Sequence, residues 1–136
     1  MDAVIQSILS GAPVLLLHLV TALAMLAVGV SIYMWVTPYE DIRLVRAGNT
    51  AGAVALGGAM LGLAIPLGAC LAGSVNTLDI MLWGCVTVVI QIAAFRGVDL
   101  VLRGLPRRIV AGEMSAAIFL VFVKLSVAVI VAAGVR

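Results

Sequence analysis

Four long apolar runs, at 14–36, 51–73, 79–101 and 114–134, decide what this chain can fold into. Each is 21–23 residues long. At ~1.5 Å rise per residue a helix of that length spans ~32–35 Å, enough to cross a ~30 Å hydrocarbon core with modest tilt. Of the 136 residues 65% are hydrophobic and 10% charged, with a mean hydropathy of +1.31. A soluble domain is about 25% charged, so this chain lacks the polar surface that water requires. The expected fold is an all-α, integral membrane four-helix bundle, a single transmembrane domain over 1–136 with the lipid bilayer as its surroundings. The stretch ahead of the first run, Met1–Ser7, holds no Lys or Arg, and the run is too long for a signal core. It is expected to remain as the first helix, with residues 1–10 along the interface.

Orientation follows from the basic residues. Arg43 and Arg46 follow the first run, and Arg96, Arg103, Arg107 and Arg108 cluster at the end of the third. The N-terminus and the 74–78 loop carry none, and the C-terminus carries only Arg136. The positive-inside rule then places both termini outside and both longer loops in the cytoplasm. Tyr33, Trp35, Tyr39 and Trp83 fall where interfacial anchors belong. With the arginines accounted for by topology, the net charge of +2 gives no reason to expect a nucleic-acid partner. Cys70 and Cys85 flank the outer loop at depths differing by ~4–5 Å, and are expected as packed apolar residues rather than a disulfide.

The second run is unusual. Seven of the 14 glycines lie between Gly48 and Gly73. Glycine and alanine let membrane helices touch closely, so Gly48, Gly52, Gly57, Gly58 and Gly62 are expected to form packing strips, within the bundle or against a second copy. A shift of 64 residues superimposes this run on the last one. Ala47-Gly48 falls on Ala111-Gly112, Ala53, Leu56, Leu61, Ala64 and Ala69 meet their own kind, and Arg43 meets Arg107. The pattern predicts two tandem helix hairpins, about 14–73 and 79–134, as a parallel internal repeat. In the first loop Thr37-Pro38 should end the first helix. Glu40 and Asp41 with Arg43 and Arg46 suit a short helical turn with i,i+3 pairs. Asn49 or Thr50 should cap the second long helix.

The run from Thr37 through "IRLVRAGNTAGAVALGGAMLGLAIPL", the later Leu82-Trp83-Gly84 and a weaker "AG-E-SAAI" in the last helix resemble the bacterial inner-membrane family called domain of unknown function 350. The resemblance extends from about His18 to Ala133. It implies four helices in two similar halves, placed in the bacterial inner membrane with periplasmic termini. Members are often encoded near membrane-stress or polyamine-related genes. It supplies no catalytic residue and no cofactor.

Lys124 is the sharpest polar feature. It lies ten residues, or ~15 Å, from either end of the last run, beyond the ~6 Å reach of its own stem to the interface. A charge at such depth faces the bundle interior, a partner subunit or a wet cavity. Gln91 lies at the same depth with Thr87 one turn away, and Pro66 frees the carbonyl of Gly62. Lys124, Gln91, Thr87, Gly62 and Pro66 are the candidate midplane cluster, as an exchange site or as interhelical glue. Arg96 and Asp99 are expected to form a local ion pair, and His18 an ordinary hydrogen bond. With no carboxylate deep in a helix, the proton-coupled exporter class is disfavoured. There is no nucleophile triad, metal motif or phosphate loop, so neither catalysis nor a metal is expected. Two functions remain: a small homo-oligomeric channel or transporter for an ion or solute, and a non-transporting scaffold, envelope-stress partner or accessory subunit of a membrane complex.

Overall fold

The computed structural model describes residues 1–37 and 39–135. Pro38 of the expected Thr-Pro stop and Arg136 of the C-terminus lie outside the described residues. The elements are α1 (Asp2–Val36), α2 (Asp41–Arg46), α3 (Thr50–Gly73), α4 (Thr77–Val101), α5 (Leu105–Val110) and α6 (Met114–Val135). The four long helices α1, α3, α4 and α6 are each long and apolar enough to cross a membrane. Their boundaries match the apolar runs to within two residues, apart from the start of α1.

That start corrects one expectation. Residues 1–10 are no separate interfacial segment, because α1 runs unbroken from Asp2 through Pro13. Proline removes one intrahelical bond, yet the helix continues through Pro13 without a break. At 35 residues α1 is about 52 Å long. Its buried residues, Gly29, Val30 and Tyr33, are all in the last third, so only that end is held by the bundle.

At its C-terminus α1 stops at Thr37, whose extended backbone (φ −70°, ψ 140°) leaves the helix while its N–H and hydroxyl both donate to the Tyr33 carbonyl, at 2.9 and 2.7 Å. The short helices α2 and α5 stop in a shared way. Each is six residues long and is followed by Ala-Gly. Gly48 and Gly112 take φ of +80° and +87°. Their N–H groups donate back to Val45 and Ile109, at 3.1 and 2.9 Å. That left-handed stop favours glycine, because a Cβ is strained there. Gly48 is therefore a turn residue, which corrects its expected place in a packing strip. Asn49 then caps α3 by accepting from the Gly52 N–H at 2.9 Å. Its amide also donates to the carbonyls of Ile109 and Val110, at 3.3 and 3.0 Å, so one side chain starts α3 and ties it to the end of α5.

The most deeply packed long helix is α3, and its main partner is α6. Small residues at helical spacing (Ala51, Ala55, Gly58, Ala59 and Gly62) make its buried face. A Cβ on Gly58 would stand 2.7 Å from Val121 Cγ1, and one on Gly62 would stand 2.6 Å from Phe95 Cζ. Gly52 is as tight against Leu44, at 2.9 Å. Gly57 makes no contact within the bundle, since it points away and a Cβ there would meet nothing within 4 Å. Gly84 of α4 is a close approach that the pattern of α3 does not advertise, seating the end of Met25 from α1.

These contacts set a prediction for unfolding of the purified protein in detergent. Gly58→Ala and Gly62→Ala should each lower stability by about 1–3 kcal/mol through overpacking. Gly57→Ala should leave the unfolding midpoint unchanged.

Candidate functional site

Near the end of the bundle that carries α2 and α5, three long helices converge on one cation. Lys124 of α6 is 1% exposed. Its ammonium donates to the Tyr33 hydroxyl of α1 at 2.9 Å and pairs with Asp99 Oδ1 of α4 at 3.1 Å. The nitrogen also lies 4.8 Å from the centroid of the Tyr33 ring and 5.0 Å from that of Phe95. The two rings meet edge to face, with centroids 5.9 Å apart and planes at 83°. The cation thus has a carboxylate, a hydroxyl and two π systems around it, the set that a charge removed from water needs. Gly62 of α3 completes the arrangement by giving the Phe95 ring room to lie there.

The expected pairing of Asp99 with Arg96 is corrected by this geometry, because the ion pair Asp99 makes is with Lys124. The expectation that no deep helix position carries an acid changes with it. Asp99 sits near the end of α4, yet it is buried and bonded to the mid-helix lysine. The lysine stem runs along the helix axis and carries the charge toward the level of Asp99.

A second carboxylate is buried nearby. Asp41 opens α2 and is 2% exposed. Among the described residues neither of its oxygens finds a hydrogen-bond partner elsewhere in the protein. Burial pushes its carboxyl up to about 6, with the Lys124 charge pulling the other way and Asp99 adding to the rise. Tyr39, just before α2, is half-buried, and burial raises its hydroxyl well above the ordinary tyrosine range. Two carboxylates, a lysine and two tyrosines therefore share one poorly hydrated corner.

The other sequence candidates are distributed differently. On α4, Thr87, Gln91, Phe95 and Asp99 follow one another at four-residue intervals and are all buried. Thr87 shares a 3.3 Å hydrogen bond with Cys70 of α3, and Gln91 is fully enclosed with neither amide atom paired among the described residues. The expected cluster of Lys124 with Gln91, Thr87 and the Gly62 carbonyl is therefore divided in two. Phe95 stands between, its tip on Gly62 and its face beside Lys124. Pro66 is buried within a continuous α3, one turn beyond Gly62. His18 stands apart from the cluster on the partly exposed part of α1, and its neighbour Thr21 bonds within the helix to Leu17 at 2.8 Å. Cys70 and Cys85 are free thiols.

In the loops, Arg43 reaches Glu40 at 3.2 Å in the expected i,i+3 pair, while Arg46 is exposed on α2. Arg108 grips Glu113 through both of its carboxylate oxygens, and that contact holds the Glu113 carboxyl down to about 2. Both pairs are solvent-exposed and contribute little stability.

The family profile described as Domain of Unknown Function (DUF350) matches residues 7–135. The UPF0719 inner membrane protein YjfL of Escherichia coli strain K12 is 33% identical over 97 residues, which cover 71% of this chain and 74% of that protein. The protein of the same name from Escherichia coli O157:H7 matches to the same extent. No solved structure matches significantly. Four apolar helices around a buried ion pair, a match over nearly the whole length and an inner-membrane relative agree: this multi-pass inner-membrane chain belongs to the DUF350 family.

Proposed function

We propose that this protein moves protons or a small ion across the inner membrane, with Lys124, Asp99, Tyr33 and Asp41 as the exchange site. The observation that carries the reading is Asp41, a buried carboxylate that no other described residue bonds, near a buried lysine–aspartate pair. Ionisable groups within a membrane bundle are expensive and mark ion pathways or proton relays. The amide of Gln91, unpaired among the described residues, adds support, since a polar group left unbonded is destabilising unless something polar visits it. From Thr87 to Asp99 the buried face of α4 covers ~18 Å, with Phe95 standing between Gln91 and the ionic corner. A chain this small has little interior of its own, so the path is read as completed in a homo-oligomer. Both termini are read as periplasmic and the arginine-bearing end as cytoplasmic, from the placement of Lys and Arg.

We read the chain as a duplicated hairpin as well. The 64-residue offset that aligns the sequence also carries α2 onto α5, Gly48 onto Gly112 and the start of α3 onto the start of α6. At that offset Asp41 corresponds to Leu105, and Lys124 to Met60. Leu105 is buried like Asp41, whereas Met60 is largely exposed. A leucine satisfies the fold at this position in one half, so a carboxylate in the other points to a role beyond packing.

The test is flux into liposomes containing the purified protein, followed with a pH-sensitive dye and a panel of ions and polyamines. Wild type should exceed protein-free liposomes. Lys124→Met and Asp99→Asn should each return flux to background and lose about 3–5 kcal/mol of stability, because each leaves a buried partner unpaired. The double variant Lys124→Met with Asp99→Leu removes both charges. It should recover most of the stability and still conduct nothing. Background flux from wild type across the whole panel would sink the transport reading and favour a scaffold role.

Asp41 gives a separate, pH-dependent prediction. An acid whose carboxyl is raised by folding binds its proton more tightly in the folded state. It therefore weakens the fold at pH above about 6, and the penalty disappears as pH falls below the ordinary aspartate value. Asp41→Asn should raise the thermal midpoint at pH 8, and the gain should shrink through pH 6 and vanish near pH 4. An equal gain at every pH would show that the carboxylate charge is not the cause.

A further inference from the structure

Beside the ionic corner, at the α2/α5 end of the bundle, a cavity of about 510 Å³ opens to the surface. Its walls include Tyr39, Arg96, Asp99, Leu100, Arg103 and Arg107. Three arginines thus line one space. Among the described residues of that wall the one acid is Asp99, which is already engaged by Lys124. Four arginines lie in this part of the chain, and among the described residues Arg108 alone has a carboxylate partner. Arg103 is held against the end of α4 by its Nε–H, which donates to the Leu100 carbonyl at 3.1 Å. Arg96 lies within α4, five residues before its end, and is only half-exposed. Loop arginines suffice to orient a membrane protein. An arginine inside the helix, with no acid partner among the described residues and lining a cavity shared with two others, exceeds that need.

We propose that this cavity binds the phosphate group of an anionic ester, carried by a membrane lipid or by a small soluble molecule. Guanidinium groups bind phosphate oxygens through paired, charge-assisted hydrogen bonds, and several around one space match a group with several acceptors. The position suits a lipid headgroup. Leu100, in the cavity wall, and the adjacent Val101 are exposed apolar residues at the end of α4, where acyl chains give way to headgroups. A free phosphate ester offers the same chemistry from the aqueous side. The assignment stands on the cavity and its arginines, and is independent of the flux reading.

Native mass spectrometry of the full chain tests the lipid source, after extraction from vesicles of equal phosphatidylglycerol and phosphatidylcholine. Thermal unfolding in detergent free of phospholipid, with and without glycerol 3-phosphate, tests the soluble source. Wild type should retain phosphatidylglycerol in preference to phosphatidylcholine, or gain a higher midpoint with glycerol 3-phosphate. Whichever ligand binds names the source. Arg96→Gln with Arg107→Gln should reduce that binding at least about tenfold, while Arg46→Gln, at the same end but outside the cavity, should leave it intact. An equal loss in Arg46→Gln would reduce the effect to general surface charge and overturn the proposal. So would wild type that neither prefers phosphatidylglycerol nor responds to glycerol 3-phosphate, an outcome that requires no variant to fold.

Discussion

A lysine charge buried in a membrane bundle has to be met by groups fixed in advance, and the rest of this architecture is arranged around that requirement. Tyr33, Asp99 and Lys124 come from α1, α4 and α6, so one ammonium holds three of the four long helices in register. The contact adds a polar anchor to the apolar packing of α1, which seats Gly29 against Val88 and Met25 against Gly84. The pair is weak evidence for stability, because desolvation offsets most of the attraction between buried charges. Its consequence is positional, since only one arrangement of the three helices brings carboxylate, hydroxyl and ammonium together.

The glycine-rich α3 serves the same arrangement from behind. Gly58 lets α6 approach through Val121, and Gly62 admits the Phe95 ring that forms one wall around Lys124. Close packing and charge placement are therefore coupled. Bulk at Gly62 would displace Phe95, and with it the aromatic pair that flanks the cation. The smooth strip that looks in sequence like a surface for helix contact is also the back of the polar site.

The spans were legible because apolar length is a direct measure of bilayer thickness, and the cap of α3 because Asn49 acts locally. The start of α1 was misjudged because the apolar run was counted from residue 14, whereas the helix begins at Asp2 and continues through Pro13. The burial of Lys124 was legible from its depth. Its partner was not, because reasoning by depth compared Cα positions. Gln91 shares the Cα level of Lys124, but the ammonium sits several ångströms along the axis, at the carboxylate of Asp99. Asp41 was read as one more charge on an exposed turn. The one available signal was its counterpart at an offset of 64 residues, Leu105, an apolar residue that has no reason to be exposed.

That counterpart also bears on why the charges are there. The α2 turn needs a residue that can be enclosed at its first position, as Leu105 is at the first position of α5. A leucine at 41 would satisfy that need without desolvating a carboxylate. The lysine invites the same comparison, since the residue at the corresponding place in α3, Met60, carries no charge and lies largely exposed. Both departures from apolar character converge on the same corner, which also borders the arginine-lined cavity through Asp99. A fold selected only for stability would tend to lose such groups, because each raises the free energy of the buried state. Their convergence at one end of one bundle is the physical ground for seeking the activity there.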